Sequence, residues 1–126
     1  MEQELIALTQ RLLDAIAAGD WATYEELCAP DLTCFEPEAQ GQLVSGLAFH
    51  RFYFEKGGSS GRVQTILCSP HVRMLGPDAA IVAYARVVQV ETAAGFSSRA
   101  FEETRVWQRI DGAWRHIHFH RSPVTG

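Results

Sequence analysis

Phe35-Glu36-Pro37-Glu38, followed by Phe49-His50-Arg51-Phe52-Tyr53-Phe54-Glu55, marks the place where this chain passes from helices to strands. Pro37 pushes Glu36 toward an extended conformation, and the second stretch carries aromatics at helical spacing. Upstream, Leu5, Leu8, Leu12 and Ile16, with Leu13 beside them, predict an amphipathic helix over Glu4–Ala18. Gly19 is placed to end it, and Asp20 to cap a second helix through Leu27. Pro30-Asp31 ends that helix, and Leu32–Phe35 reads as a short extended piece. Ser45 is expected to cap a third helix, roughly Gly46–Lys56, with Phe49, Phe52 and Tyr53 on one side. Lys56–Gly61 has the composition of a flexible loop.

From Arg62 onward the period changes. Val63–Leu75, Ala79–Glu91, Ser98–Ile110 and Ala113–Arg121 are rich in β-branched and aromatic residues, separated by Gly76-Pro77-Asp78, Ala93-Ala94-Gly95 and Asp111-Gly112. Three helices followed by an antiparallel meander predict an α+β fold with helices on one face of a curved sheet. The 126 residues suit one domain, 1–126. A net charge of −4 points to neither a nucleic-acid nor a membrane partner. No apolar run is long enough to span a bilayer, and Met1-Glu2-Gln3-Glu4 is unlike a signal peptide, so a cytoplasmic protein is expected. Cys28, Cys34 and Cys68 are scattered without a Cys-x-x-Cys pair and read as reduced, mostly buried thiols.

Two later motifs, Glu102-Glu103-Thr104-Arg105-Val106-Trp107 and His118-Phe119-His120-Arg121-Ser122, follow in order. With the opening pair they make the chain resemble the association (hub) domain of calcium/calmodulin-dependent protein kinase II, a branch of the nuclear transport factor 2-like superfamily. The resemblance runs from about Leu5 to Ser122. It implies a cone-shaped, cystatin-like α+β fold and a non-catalytic scaffold that assembles with itself, as a homodimer at minimum and in a larger ring as an extension. It also implies a pocket between sheet and helices lined by Arg86, Arg105 and Arg121, with His50 and Tyr84 nearby, suited to a small carboxylic acid. No catalytic residue and no cofactor follow from it. Related folds host isomerases and hydrolases, so an isomerase, hydrolase or lyase using the same pocket is the alternative. Two departures from the family are expected: the loop after Phe-Tyr-Phe-Glu is shorter and lacks an aromatic, and the sequence read carries no kinase segment ahead of the domain.

The residues themselves leave choices open. An arginine within a strand is expensive unless solvated or paired, so Arg86, Arg105 and Arg121 either converge on an anion or pair internally with Glu36, Glu38, Glu91 or Glu103. His116, His118 and His120 alternate and are expected on one face, but no third metal ligand accompanies them, and no metal site is assigned. Glu36, Glu103, Tyr53, Tyr84 and His50 are the acid–base candidates, although arginines nearby would leave the carboxylates weak bases. A pairing of Cys34 or Cys68 with His50 has no motif behind it. The aromatics, Phe49 to Phe54 with Trp107 and Trp114, are expected mostly in the core, and Thr104 and Val106, opposite Arg105, on a face suited to a subunit interface. Register decides which side chains share that face. A two-residue turn of Asp111-Gly112 would set Ile110 opposite Ala113 and Arg105 beside His118. A three-residue turn of Ile110-Asp111-Gly112 is expected instead, because only it reproduces the arginine pocket that the resemblance implies. It places Arg105 opposite Ile117 and Glu103 opposite Phe119, with Arg121 on the same face.

Overall fold

The computed structural model describes residues 1–55 and 62–125; the loop read over Lys56–Gly61 lies outside the described residues. Helix α1 spans Glu2–Ala18 and buries Leu5, Leu12 and Leu13 completely. Gly19 ends it in the left-handed conformation (φ 69°), which a residue without Cβ adopts freely. Asp20 caps α2 (Trp21–Leu27) by accepting from the Thr23 N–H at 3.1 Å. Strand β1 then begins at once, over Cys28–Phe35, so Pro30 and Asp31 lie inside an irregular strand and not in a break. A single 3-10 turn at Pro37–Ala39 leads to β2 (Val44–Ser45) and α3 (Ala48–Glu55). Ser45 pairs with Thr33 in the sheet and is not a helix cap.

Strands β3 (Val63–Met74), β4 (Ala79–Thr92), β5 (Gly95–Ile110) and β6 (Ala113–Pro123) form the meander. The sheet order is β2-β1-β6-β5-β4-β3, antiparallel throughout except where β1 runs parallel to β6. Chain direction explains the exception, since β1 leaves the helices and β6 returns beside it. Alternation sets the inner face: Ala80, Val82, Tyr84 and Arg86 on β4, and Phe101, Glu103, Arg105 and Trp107 on β5, are all buried. The helices close this face. Trp107 Nε1 donates to Thr9 Oγ1 at 3.1 Å, and Trp114 Nε1 to Glu4 Oε1 at 3.3 Å.

The β5–β6 turn departs from expectation. Asp111 (φ 52°) and Gly112 (φ 81°) are both left-handed, which is the two-residue turn that Asp-Gly favours, and Ile110 faces Ala113. A bulge then intervenes: Trp107 pairs with His116 and Val106 with His118, leaving Ile117 as the extra residue. Arg105 therefore lies opposite Phe119 and Glu103 opposite Arg121. The arginines still share a face, but through a bulge and not through turn length. The same bulge breaks the histidine row. His116 is fully buried inside, whereas His118 and His120 pair with Val106 and Thr104 on the outer face.

Helix α3 corrects the aromatic expectation. Its buried residues are His50 and Phe54, four apart on one stripe, while Phe49, Phe52 and Tyr53 are 42%, 62% and 53% exposed. Among the described residues no helix is long and apolar enough to cross a membrane.

Candidate functional site: an arginine and glutamate cavity

A cavity of about 600 Å³ opens between α3 and the inner face of β4, β5 and β6. Its apolar walls include Val88, Val90, Phe101 and Phe119. Of the residues singled out from sequence, His50, Arg86, Arg105 and Arg121 line it. Tyr84 does not; it sits behind Arg105, bound to it through the hydroxyl.

Arg105 is held on every side. Its Nε donates to the Tyr84 hydroxyl at 2.7 Å, Nη2 to Glu103 Oε1 at 2.9 Å, and Nη1 to His116 Nε2 at 3.4 Å, with the guanidinium 4.4 Å above the Phe119 ring. Because a guanidinium only donates, His116 Nε2 must accept, and the ring proton sits on Nδ1, 3.6 Å from Cys28 Sγ. Burial, and then the Arg105 charge, hold His116 well below the usual imidazole range. Glu103 receives three donors: Tyr84 Oη at 2.6 Å and Arg105 at Oε1, and Arg86 Nη1 at Oε2, 3.1 Å away. Burial alone would push this carboxyl up, but Arg105, Arg86 and the Tyr84 hydroxyl hold it below the ordinary carboxylate range. The Tyr84 hydroxyl is pushed up by its burial.

Of the two arrangements left open for the arginines, internal pairing is present. Arg86 and Arg105 share Glu103, and Arg121 reaches Glu36 Oε1 at 3.5 Å and both oxygens of Glu38. The pairing has a simple cause, since an unpaired guanidinium at this depth would cost several kcal/mol, of the order of about 3–5. The Arg86 pairing is incomplete. Its Nε is buried and has no partner among the described residues.

At the other side Glu36 Oε2 lies 2.9 Å from His50 Nε2 and 3.2 Å from Cys34 Sγ. Burial opposes ionisation of Glu36, yet the His50 and Cys34 hydrogen bonds and the Arg121 charge bring it from the ordinary range to about 2. The Cys34–His50 approach that no motif announced is made, at 3.5 Å. Burial, the bond to Glu36 and the Glu36 charge push the Cys34 thiol up, so it is no thiolate nucleophile.

Sequence reasoning missed two features. Arg99 lines the cavity with its guanidinium 5.2 Å from the Phe101 ring, and among the described residues it has no carboxylate partner. The signal was present: 99, 101, 103 and 105 share parity on one strand. The Cys34, Glu36 and His50 cluster gave less warning, because it joins β1, the loop after it, and α3. Counting Arg86, Arg99, Arg105 and Arg121 against Glu36, Glu38 and Glu103 leaves a formal excess of one positive charge around the cavity.

The family model of the calcium/calmodulin dependent protein kinase II association domain matches residues 1–125. The delta subunit of calcium/calmodulin-dependent protein kinase type II from Oryctolagus cuniculus is 48% identical over 124 residues, covering 96% of this chain and 23% of that protein. The chain thus spans about a quarter of the curated relative it matches. The solved hub homology domain of Chlamydamonas reinhardtii superposes with a TM-score of 0.93 at 45% identity, over 98% of each chain. A nuclear transport factor 2-like protein from Cytophaga hutchinsonii, 21% identical with a TM-score of 0.82 over 98% of each chain, shares the fold.

Proposed function

The chain belongs to the calcium/calmodulin-dependent protein kinase II association domain family, and from that premise we propose that it is a non-catalytic, self-assembling scaffold whose cavity takes a small carboxylate. Self-assembly rests on family membership across nearly the whole chain together with a suitable surface. On the outer face, Val106 pairs with His118, whose Nδ1 is fixed by the Thr33 hydroxyl at 2.7 Å. Phe35, 38% exposed, packs against His118 and His120. That face of mixed apolar and hydrogen-bonding groups is the contact we assign to a second copy. Light scattering at micromolar concentration is expected to return at least twice the 14.0 kDa of one chain, and Val106→Arg to return one chain. A wild-type monomer would remove this reading.

The carboxylate is carried by one observation: the Arg86 Nε, buried in the cavity wall with a donor to spare. A carboxylate that reaches it gains a charge-assisted bond beside apolar walls and meets the excess positive charge contributed by Arg99. The non-catalytic reading follows from the carboxyls. Glu36 and Glu103 are both held in the ionised form by donors and cations, which leaves them poor proton acceptors near neutral pH. Native mass spectrometry with a panel of small monocarboxylic acids checks assembly and occupancy together; an assembly that retains none of them would contradict the pocket reading and leave the scaffold standing.

A further inference from the structure

Cys34, Glu36 and His50 bring three different ligand chemistries to one point beside the cavity. Cys34 Sγ is 3.2 Å from Glu36 Oε2 and 3.5 Å from His50 Nε2, and those two atoms are 2.9 Å apart. We propose that these side chains form a zinc site whose fourth position opens on the cavity. The inference is independent of the carboxylate reading.

Geometry carries it first. Zinc bonds of ordinary length to sulfur, nitrogen and oxygen, arranged as a tetrahedron, give ligand–ligand separations of about 3.3–3.6 Å. The three atoms stand within a few tenths of an ångström of that triangle before any ion arrives. Glu36 is already turned for the task, with Oε1 toward Arg121 and Oε2 toward His50 and Cys34. His50 likewise engages its surroundings through Nε2, since Nδ1 has no partner among the described residues.

Access agrees, and the loaded cluster is neutral. A thiolate, a carboxylate and a neutral imidazole around a divalent ion sum to zero, one unit more positive than the ionised Glu36, thiol and neutral imidazole that the ion meets. Sulfur and imidazole ligands select zinc over magnesium or calcium, which want oxygen. Glu36 and His50 line the cavity while Cys34 is fully buried behind them, so the ion enters from the cavity side and a water completes its shell. On binding, the S–Zn bond replaces S–H, and the thiol proton leaves to solvent.

A rival arrangement explains the same distances without metal: thiol and imidazole both donate to a bare Glu36 carboxylate. The two differ in whether Cys34 surrenders its proton, which cobalt(II) reads directly. The chain of residues 1–126, stripped by a chelator, is titrated with zinc by calorimetry and with cobalt(II) by absorption. One ion per chain is expected, with a thiolate-to-cobalt charge-transfer band and the intense visible bands of tetrahedral cobalt. Cys34→Ser keeps a hydroxyl donor to Glu36 yet should lose the charge-transfer band. It should also weaken zinc by more than the about 10–100-fold typical of losing a mere supporting partner. His71→Gln, on exposed β3, should change neither. If Cys34→Ser fails to fold, His50→Gln and the wild-type spectrum decide. Cobalt binding without the thiolate band, zinc binding unaffected by Cys34→Ser and His50→Gln, or no stoichiometric zinc binding at micromolar concentration would overturn the site.

Discussion

Arg105 and Arg99 lie on the same face of the same strand, yet they live under opposite rules. Arg105 is 1% exposed and engages all three guanidinium nitrogens with Tyr84, Glu103 and His116. Arg99 is exposed and rests on the Phe101 ring, with no carboxylate among the described residues. Arg86 stands between them, sharing Glu103 while one buried nitrogen stays unpartnered. Under the proposed carboxylate reading, the inner face of β4 and β5 grades from a strut at Arg105 to a receptor at Arg86 and Arg99. Depth decides the role, because a buried charge must be matched inside the fold whereas one at the rim can wait for a ligand.

The largest effect is expected at the strut. Arg105→Ala strands Glu103 with only part of its compensation, and should lower unfolding free energy by about 3–5 kcal/mol in urea denaturation. A loss below about 1 kcal/mol would erase the contrast with Arg99.

His116 gives a smaller, pH-dependent test of the same buried end. Its folded pKa lies well below the ordinary imidazole 6.5, so the unfolded chain takes up a proton that the folded one refuses. Its contribution is therefore complete above about pH 6.5 and falls as pH drops, by about 1.4 kcal/mol per unit. That limb begins before the carboxylates titrate. His116→Gln, which retains an acceptor for Arg105, should remove it; an unchanged limb would assign the proton uptake elsewhere. Glu103, held below the ordinary range, adds its own loss only at lower pH.

Arg99 supplies the smallest stability change. Arg99→Ala should leave unfolding free energy within about 0.5 kcal/mol of the parent, as surface substitutions do. A larger loss in denaturant melts would make it another strut.

Much of this grading was legible from residues alone. Leu5, Leu12 and Leu13 announced α1, Asp20 and Gly19 marked the helix ends, and the parity of Glu103 and Arg105 gave the inner face of β5. What stayed hidden depends on neighbours distant in sequence. The Ile117 bulge lies where β6 meets β5 on one side and β1 on the other, and it alone decides that His116 turns inward while His118 turns out. The exposure of Phe49, Phe52 and Tyr53 is a property of where α3 sits over the cavity, which helical periodicity does not encode. Nor does spacing reveal that Glu103 takes two arginines and a tyrosine at once.

The central claim, that Arg86 marks the start of the receptor end, is tested most directly by thermal melting of the wild type and Arg86→Ala against a series of small monocarboxylates. Binding to the native state alone should raise the wild-type melting temperature saturably with acid concentration. Arg86→Ala should lose that rise. Its unliganded form should be weakened by only about 1–3 kcal/mol, since Glu103 keeps Arg105 and Tyr84. No acid-dependent rise in the wild type, or the same rise in both proteins, would contradict the account.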